Sequence, residues 1–208
     1  MTQVNKERML AEFKEIVALP CHSLQERPVF ELLKGKLEPL ALRWKRMTPV
    51  KSWVATGGNL WAFLPASAGV EGAVRVLLSA HMDGVEPCGG TTVIQKDGVL
   101  YSDGTTILGG DDKSGVEGIL EGIRLLLEEG APHGDIQILF TVCEEGGVNG
   151  SRCLDRSNCV PTLAMHWMVK ALRARLLSAL PARRNIKSTL SAEPRMADWS
   201  RKRASTLL

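Results

Sequence analysis

The chain has 208 residues, 44% hydrophobic and 24% charged, at net charge +3, which is ordinary globular usage near the size of one domain. The opening MTQVNKERMLAEFKEIV mixes charged and apolar residues, and no segment approaches the roughly 18 apolar residues of a membrane span, so the expectation is a soluble, cytoplasmic protein with no membrane partner. The charge is uneven: from Asn158 onward ten Lys and Arg face two acidic residues, net +8, while the preceding residues are net −5.

In chain order, Met9, Leu10, Phe13, Ile16 and Val17 recur at three- and four-residue spacing, which predicts an amphipathic helix ending near Pro20. Ser23 and Glu26 have the spacing of a capping box, and Val29, Phe30, Leu33 and Leu37 continue a stripe, so a second helix is expected to about Glu38. Asn59–Leu64, Val74–Ala80 and Ile136–Val142 are near-continuous apolar runs, the pattern of strands covered on both faces. Lys96–Tyr101 reads as a turn into a short strand. Ser114–Glu129 carries the helical stripe Val116, Ile119, Leu120, Ile123, Leu126 and Leu127, with Gly130 as its stop. Lys113, just before it, reads as a solvated or ion-paired residue at a helix start. The five cysteines (Cys21, Cys88, Cys143, Cys153, Cys159) form no CxxC pair and are read as reduced thiols. Cys143 is expected as a buried small hydrophobe, and His22 and His133 as surface residues.

The polar residues at the ends of these elements carry the chemistry. His81 and Asp83 follow one buried strand, Asp111 and Asp112 precede the long helix, and Glu144 and Glu145 follow the last strand. In an open α/β sheet the carboxyl ends of strands face the ligand crevice, so these groups are expected around one cleft.

The segments SLQERP, HMDGV, YSDGTTILGGDDKSG and FTVCEEGG resemble the M20 metallopeptidases of the peptidase T-like branch over most of residues 1–157, with a gap around 43–57. The resemblance implies an α/β, three-layer zinc-peptidase-like catalytic domain with a mostly parallel central sheet, here without the lid or dimerisation domain through which family members dimerise. It implies that His81 binds one zinc, that Asp111 bridges two, and that Glu145 binds the second. Glu144 is then the general base, Asp83 supports His81, and the Asp111–Asp112 peptide is cis. Zinc suits imidazole and carboxylate donors, and manganese or cobalt can replace it. The implied activity is hydrolysis of short peptides by an aminopeptidase or tripeptidase. N-acyl amino acid deacylation by the same centre is an alternative.

Two ligands of the family pattern are missing: an acidic residue some twenty positions past Glu145 and a later histidine. His166 lies near the first position but out of pattern. One weakly held zinc and impaired activity are therefore expected. Residues 158–208 are read as a basic tail outside the native fold and, like about 43–57, as out-of-frame translation. The tail has no nucleic-acid motif or interleaved aromatics, so no nucleic-acid partner is expected, a basic nucleic-acid-binding tail remaining the alternative.

Overall fold

A computed structural model describes residues 3–47, 57–154, 161, 163–166, 175–178 and 206–207. Helix α1 spans Lys6–Val17 and buries Phe13, Ile16 and Val17, with Asn5 capping it through the Arg8 N–H. Helix α2 spans Arg27–Leu37 and buries Val29, Phe30, Leu33 and Leu37. It starts after Glu26 rather than at a capping box. Ser23 and Glu26 make no reciprocal cap: Ser23 Oγ donates to Asp83 Oδ2 at 2.7 Å, and Glu26 Oε1 accepts from Leu24 N at 2.8 Å and Cys143 N at 2.9 Å. Tertiary partners have taken the groups that the local pattern assigned to the helix end.

One sheet has six strands: β1 (Arg43–Met47), β2 (Asn59–Leu64), β3 (Val76–His81), β6 (Ile136–Thr141), β7 (Leu163–His166) and β8 (Arg175–Ser178), in the order β1-β2-β6-β3-β7-β8. The strands β6, β3 and β7 run parallel at its centre, with β2 and β8 antiparallel outside them. β3 starts two residues later than the apolar run suggests, because Val74 is 54% exposed in the preceding turn. β7 and β8 come from the basic tail and β1 from the stretch around 43–57. The intervening residues 48–56 and 167–174 lie outside the described residues.

β4 (Val93–Lys96) and β5 (Val99–Ser102) form a hairpin, to which β9 (Thr206–Leu207) adds a short strand. Asp97 and Gly98 both have positive φ, as the two central residues of a tight hairpin turn require.

Helix α3 spans Gly110–Glu129, but Asp111 and Asp112 have non-helical dihedrals, so its regular turns begin at Lys113. Its stripe packs on β3. Val116, Ile119, Leu120 and Ile123 join Ile16 of α1, Val29, Phe30 and Leu33 of α2, and the same-face strand residues Leu60, Ala62, Ala80, Ile138 and Phe140 in one buried cluster. The described residues thus build the sheet and one helical layer of the three-layer expectation. No helix among them is long and apolar enough to cross a membrane.

The three helices are also clasped by charge. Arg124 donates to both Glu12 oxygens at 2.6 and 2.9 Å, and Lys36 donates to Glu12 and Glu15. Glu117, 2% exposed beside this clasp, is pushed from the ordinary 4.5 up to about 8, by burial first and then by the Glu12 carboxylate. A folded-state value above the unfolded one means that the folded chain holds the extra proton. That contribution is complete below pH 4.5 and is lost as pH rises through about 8. Denaturation at about pH 5 and pH 8.5 should therefore show wild type losing a few kcal/mol that Glu117→Gln keeps, at roughly 1.4 kcal/mol per pKa unit. Equal losses in both proteins would contradict this.

Candidate metal centre

Three loops converge where β3 and β6 end. The first is the end of β3. His81, 2% exposed, sets its Nδ1 3.1 Å from the Asp83 carbonyl and 3.3 Å from Asp83 Oδ1. A proton on Nδ1 satisfies those acceptors and leaves Nε2 as the ligating nitrogen. The second is the start of α3, where the cis Asp111–Asp112 peptide follows Gly109 in a left-handed conformation. Asp111 Oδ1 lies 3.2 Å from His81 Nε2.

The third is the turn after β6. Cys143 has φ +51, unusual for a residue with a side chain. It is held there by Glu26 at its N–H and by Asn149 N at its carbonyl, each at 2.9 Å. The turn aims two consecutive amides at one carboxylate: Glu144 N donates to Asp83 Oδ1 at 2.9 Å and Glu145 N to Asp83 Oδ2 at 3.0 Å. Gly150 closes the turn from behind; a Cβ there would collide with the Val142 carbonyl and lie 2.7 Å from Asn59 Oδ1.

The outcome is a group of donor atoms from His81, Asp111 and Glu145, all within 4.8 Å of one another. Asp83 underlies the group with no solvent exposure, and Glu144 stands beside Glu145. A cleft of about 280 Å³ opens alongside, lined by His22, Ser23, Gly84, Val85, Glu86 and Glu145.

Charge follows geometry. Burial lowers the His81 imidazole, but Asp111 and then Asp83 outweigh it and raise it to about 10. Burial raises Asp83, but the bonds from His81, Ser23 and Glu144 N take it down to about 2. Burial pushes Glu144 and Glu145 up, His81 opposing. Asp112 rises to about 8, mainly by burial. A field that holds a proton on imidazole this strongly has negative charge in excess, and one nitrogen with two carboxylate donors matches the chemistry of zinc. The residues present fit a divalent cation.

Several residues differ from their sequence reading. Lys113 is fully buried instead of solvated, and its Nζ donates to the Asp83 carbonyl at 2.6 Å. His22 is half-buried in the cleft wall, 3.6 Å from Glu86, rather than on the open surface. Ser23 and Glu26, read as a helix cap, instead brace Asp83 and the Cys143 turn; their signal, S-x-x-E before an apolar run, was real but pointed to the wrong partner. Cys143 is buried, and the four described cysteines are free. The His166 backbone pairs with Ser79 in the β3–β7 ladder.

Residues 77–175 match the family described as Peptidase family M20/M25/M40. The chain is 36% identical over 154 residues to the uncharacterized protein YqjE of Bacillus subtilis, covering 74% of this chain and 41% of that protein. Among solved structures it is similar to a tripeptidase of Staphylococcus aureus, with TM-score 0.76 and 33% identity over 82% of this chain and 45% of the other. It is also similar to aminopeptidase PepT of Bacillus cereus, with TM-score 0.72 and 34% identity over 79% and 44%. The chain spans less than half the length of each of these three.

Proposed function

We propose, from the match of residues 77–175 to Peptidase family M20/M25/M40, that this chain is the metal-binding portion of a zinc-dependent aminopeptidase acting on short peptides. The observation that carries the reading is the convergence of His81, Asp111 and Glu145 on one point beside a cleft, with Glu144 adjacent. Its likeness to a tripeptidase and to an aminopeptidase favours peptides of a few residues.

His81 and Asp111 would hold one zinc, and Asp111 and Glu145 a second, the Asp111 carboxylate serving both. Bound there, zinc supplies Lewis acidity to the scissile carbonyl and to the attacking water. Glu144 accepts the water proton on a carboxylate oxygen and delivers it to the leaving amine. Burial suits it to this role, because a raised carboxyl pKa makes the carboxylate a stronger base for taking that proton. Asp83 keeps the Nδ1 proton on His81, so that Nε2 stays a ligand. The cleft wall of His22 and Glu86 faces the substrate, where carboxylates suit a peptide amine. Among the described residues the four cysteines are free, which suits a reducing, cytoplasmic compartment.

Among the described residues the shared set offers three donors, whereas a catalytic zinc normally takes three protein ligands of its own. We therefore read this chain as an impaired enzyme whose two positions, sharing three donors, hold metal weakly or at one position alone. The test is a zinc titration of apo protein followed by thermal melting. Zinc at about 100-fold over its dissociation constant should stabilise the fold by roughly 2.7 kcal/mol, reversed by chelation. Tripeptide hydrolysis should stay near background. A melting temperature indifferent to zinc at millimolar concentration would sink the metal assignment.

A further inference from the structure

We propose that Lys113 is a positioning residue for the metal centre, a tether that fixes the distance between the two elements supplying His81 and Asp111. The inference rests on the metal reading above but concerns a residue outside the donor group.

Among the described residues, Lys113 is the largest of the side chains that are completely buried. Burying an amine costs several kcal/mol unless a specific bond offsets it. Its bond to the loop after β3 is short: Nζ donates to the Asp83 backbone carbonyl at 2.6 Å, with the Cys21 thiol also in reach of the amine. That same oxygen lies 3.1 Å from His81 Nδ1. One carbonyl therefore receives both the proton that orients the imidazole and the amine of the residue two positions after Asp111.

The consequence is geometric. Lys113 begins the regular turns of α3, and Asp83 sits two residues beyond the end of β3. At the donor atoms themselves, the two elements meet in the 3.2 Å contact between His81 Nε2 and Asp111 Oδ1. Binding a cation replaces that contact, so it cannot also preset the spacing. Lys113 can, because its bond lies behind the imidazole and is undisturbed when Nε2 is taken. Loss of a partner of this kind typically weakens metal binding by about 10–100-fold.

The experiment compares wild type, Lys113→Met and His81→Ala, each confirmed folded by circular dichroism, in chelator competition for zinc. The methionine keeps the length and apolar body of the stem and removes the donor. We expect Lys113→Met to lose about 10–100-fold in zinc affinity. A side chain that merely fills space would lower the melting temperature and leave the affinity of the folded chain unchanged, and that result overturns the proposal. Should the variant not fold, wild type alone decides through the Lys113 Nζ protons by nitrogen-15 NMR. Their exchange with water should slow on zinc loading, and unchanged exchange overturns the tether. The two readings fail separately: if wild type and His81→Ala bind zinc equally, the metal site itself is wrong; if only His81→Ala loses binding, the site stands and Lys113 does not contribute.

Discussion

Asp111→Ala is expected to abolish measurable zinc binding while leaving the fold intact, a larger loss than the roughly 10–100-fold that removal of an outer hydrogen-bonding partner costs. The asymmetry comes from exposure. The Asp111 side chain is 60% exposed, whereas His81 and Asp83 are buried and hydrogen-bonded into the loop framework. Removing Asp111 takes a donor from both proposed metal positions at once and opens no cavity. Its melting temperature without metal should fall modestly with the loss of the His81 contact, and the zinc-induced increment should vanish. An Asp111→Ala protein that binds zinc as tightly as wild type would remove the bridging carboxylate from the assignment.

The second large effect is a gain. Translating the codons from Asn158 onward from the third base of each is expected to restore a ligand and raise peptidase activity by orders of magnitude. The genetic code leaves no freedom over the critical residues. Met165-His166 forces GCA, His166-Trp167 a leucine codon, Trp167-Met168 GAT and Met168-Val169 GGT, so the shifted frame reads Ala-Leu-Asp-Gly. Its aspartate falls just after β7, which runs parallel to β3 with His166 paired to Ser79, two residues before His81. An acid there would supply the acidic ligand that the resemblance places some twenty positions past Glu145, a third protein donor of the kind zinc takes. Glu144→Gln in the restored chain should then remove at least the roughly 10²–10⁴-fold that general-base catalysis contributes. Stop codons in that frame over Asn158–Lys170, or a restored chain no more active than this one, would end the idea.

What was legible in the sequence follows from range. Strands β2 and β6, the stripe of α3 and the placement of His81, Asp83, Asp111, Glu144 and Glu145 at element ends were readable, because apolar periodicity and polar residues beside it are local signals. Lys113 was not. Its burial depends on Asp83, thirty positions earlier in the chain, and nothing near it in the sequence announces a long-range acceptor. Ser23 and Glu26 failed the opposite way. A local pattern offered one set of partners, and buried tertiary donors and acceptors 60 and 117 positions away outcompeted it. His22 was misplaced because the cleft wall is assembled from residues 22–23, 84–86 and 145, which only the folded chain brings together.

The Asp83 carboxylate has a further use. Its two oxygens accept the amides of Glu144 and Glu145, 61 and 62 positions downstream. Neither amide can exchange its hydrogen for deuterium until that carboxylate lets go or the turn opens. Two adjacent backbone sites thus become a clock for one remote side chain. Any event that disturbs His81, a bound cation or a changed proton, should register in both exchange rates together, while the helical amides of α1, which belong to no part of this loop framework, keep their own time.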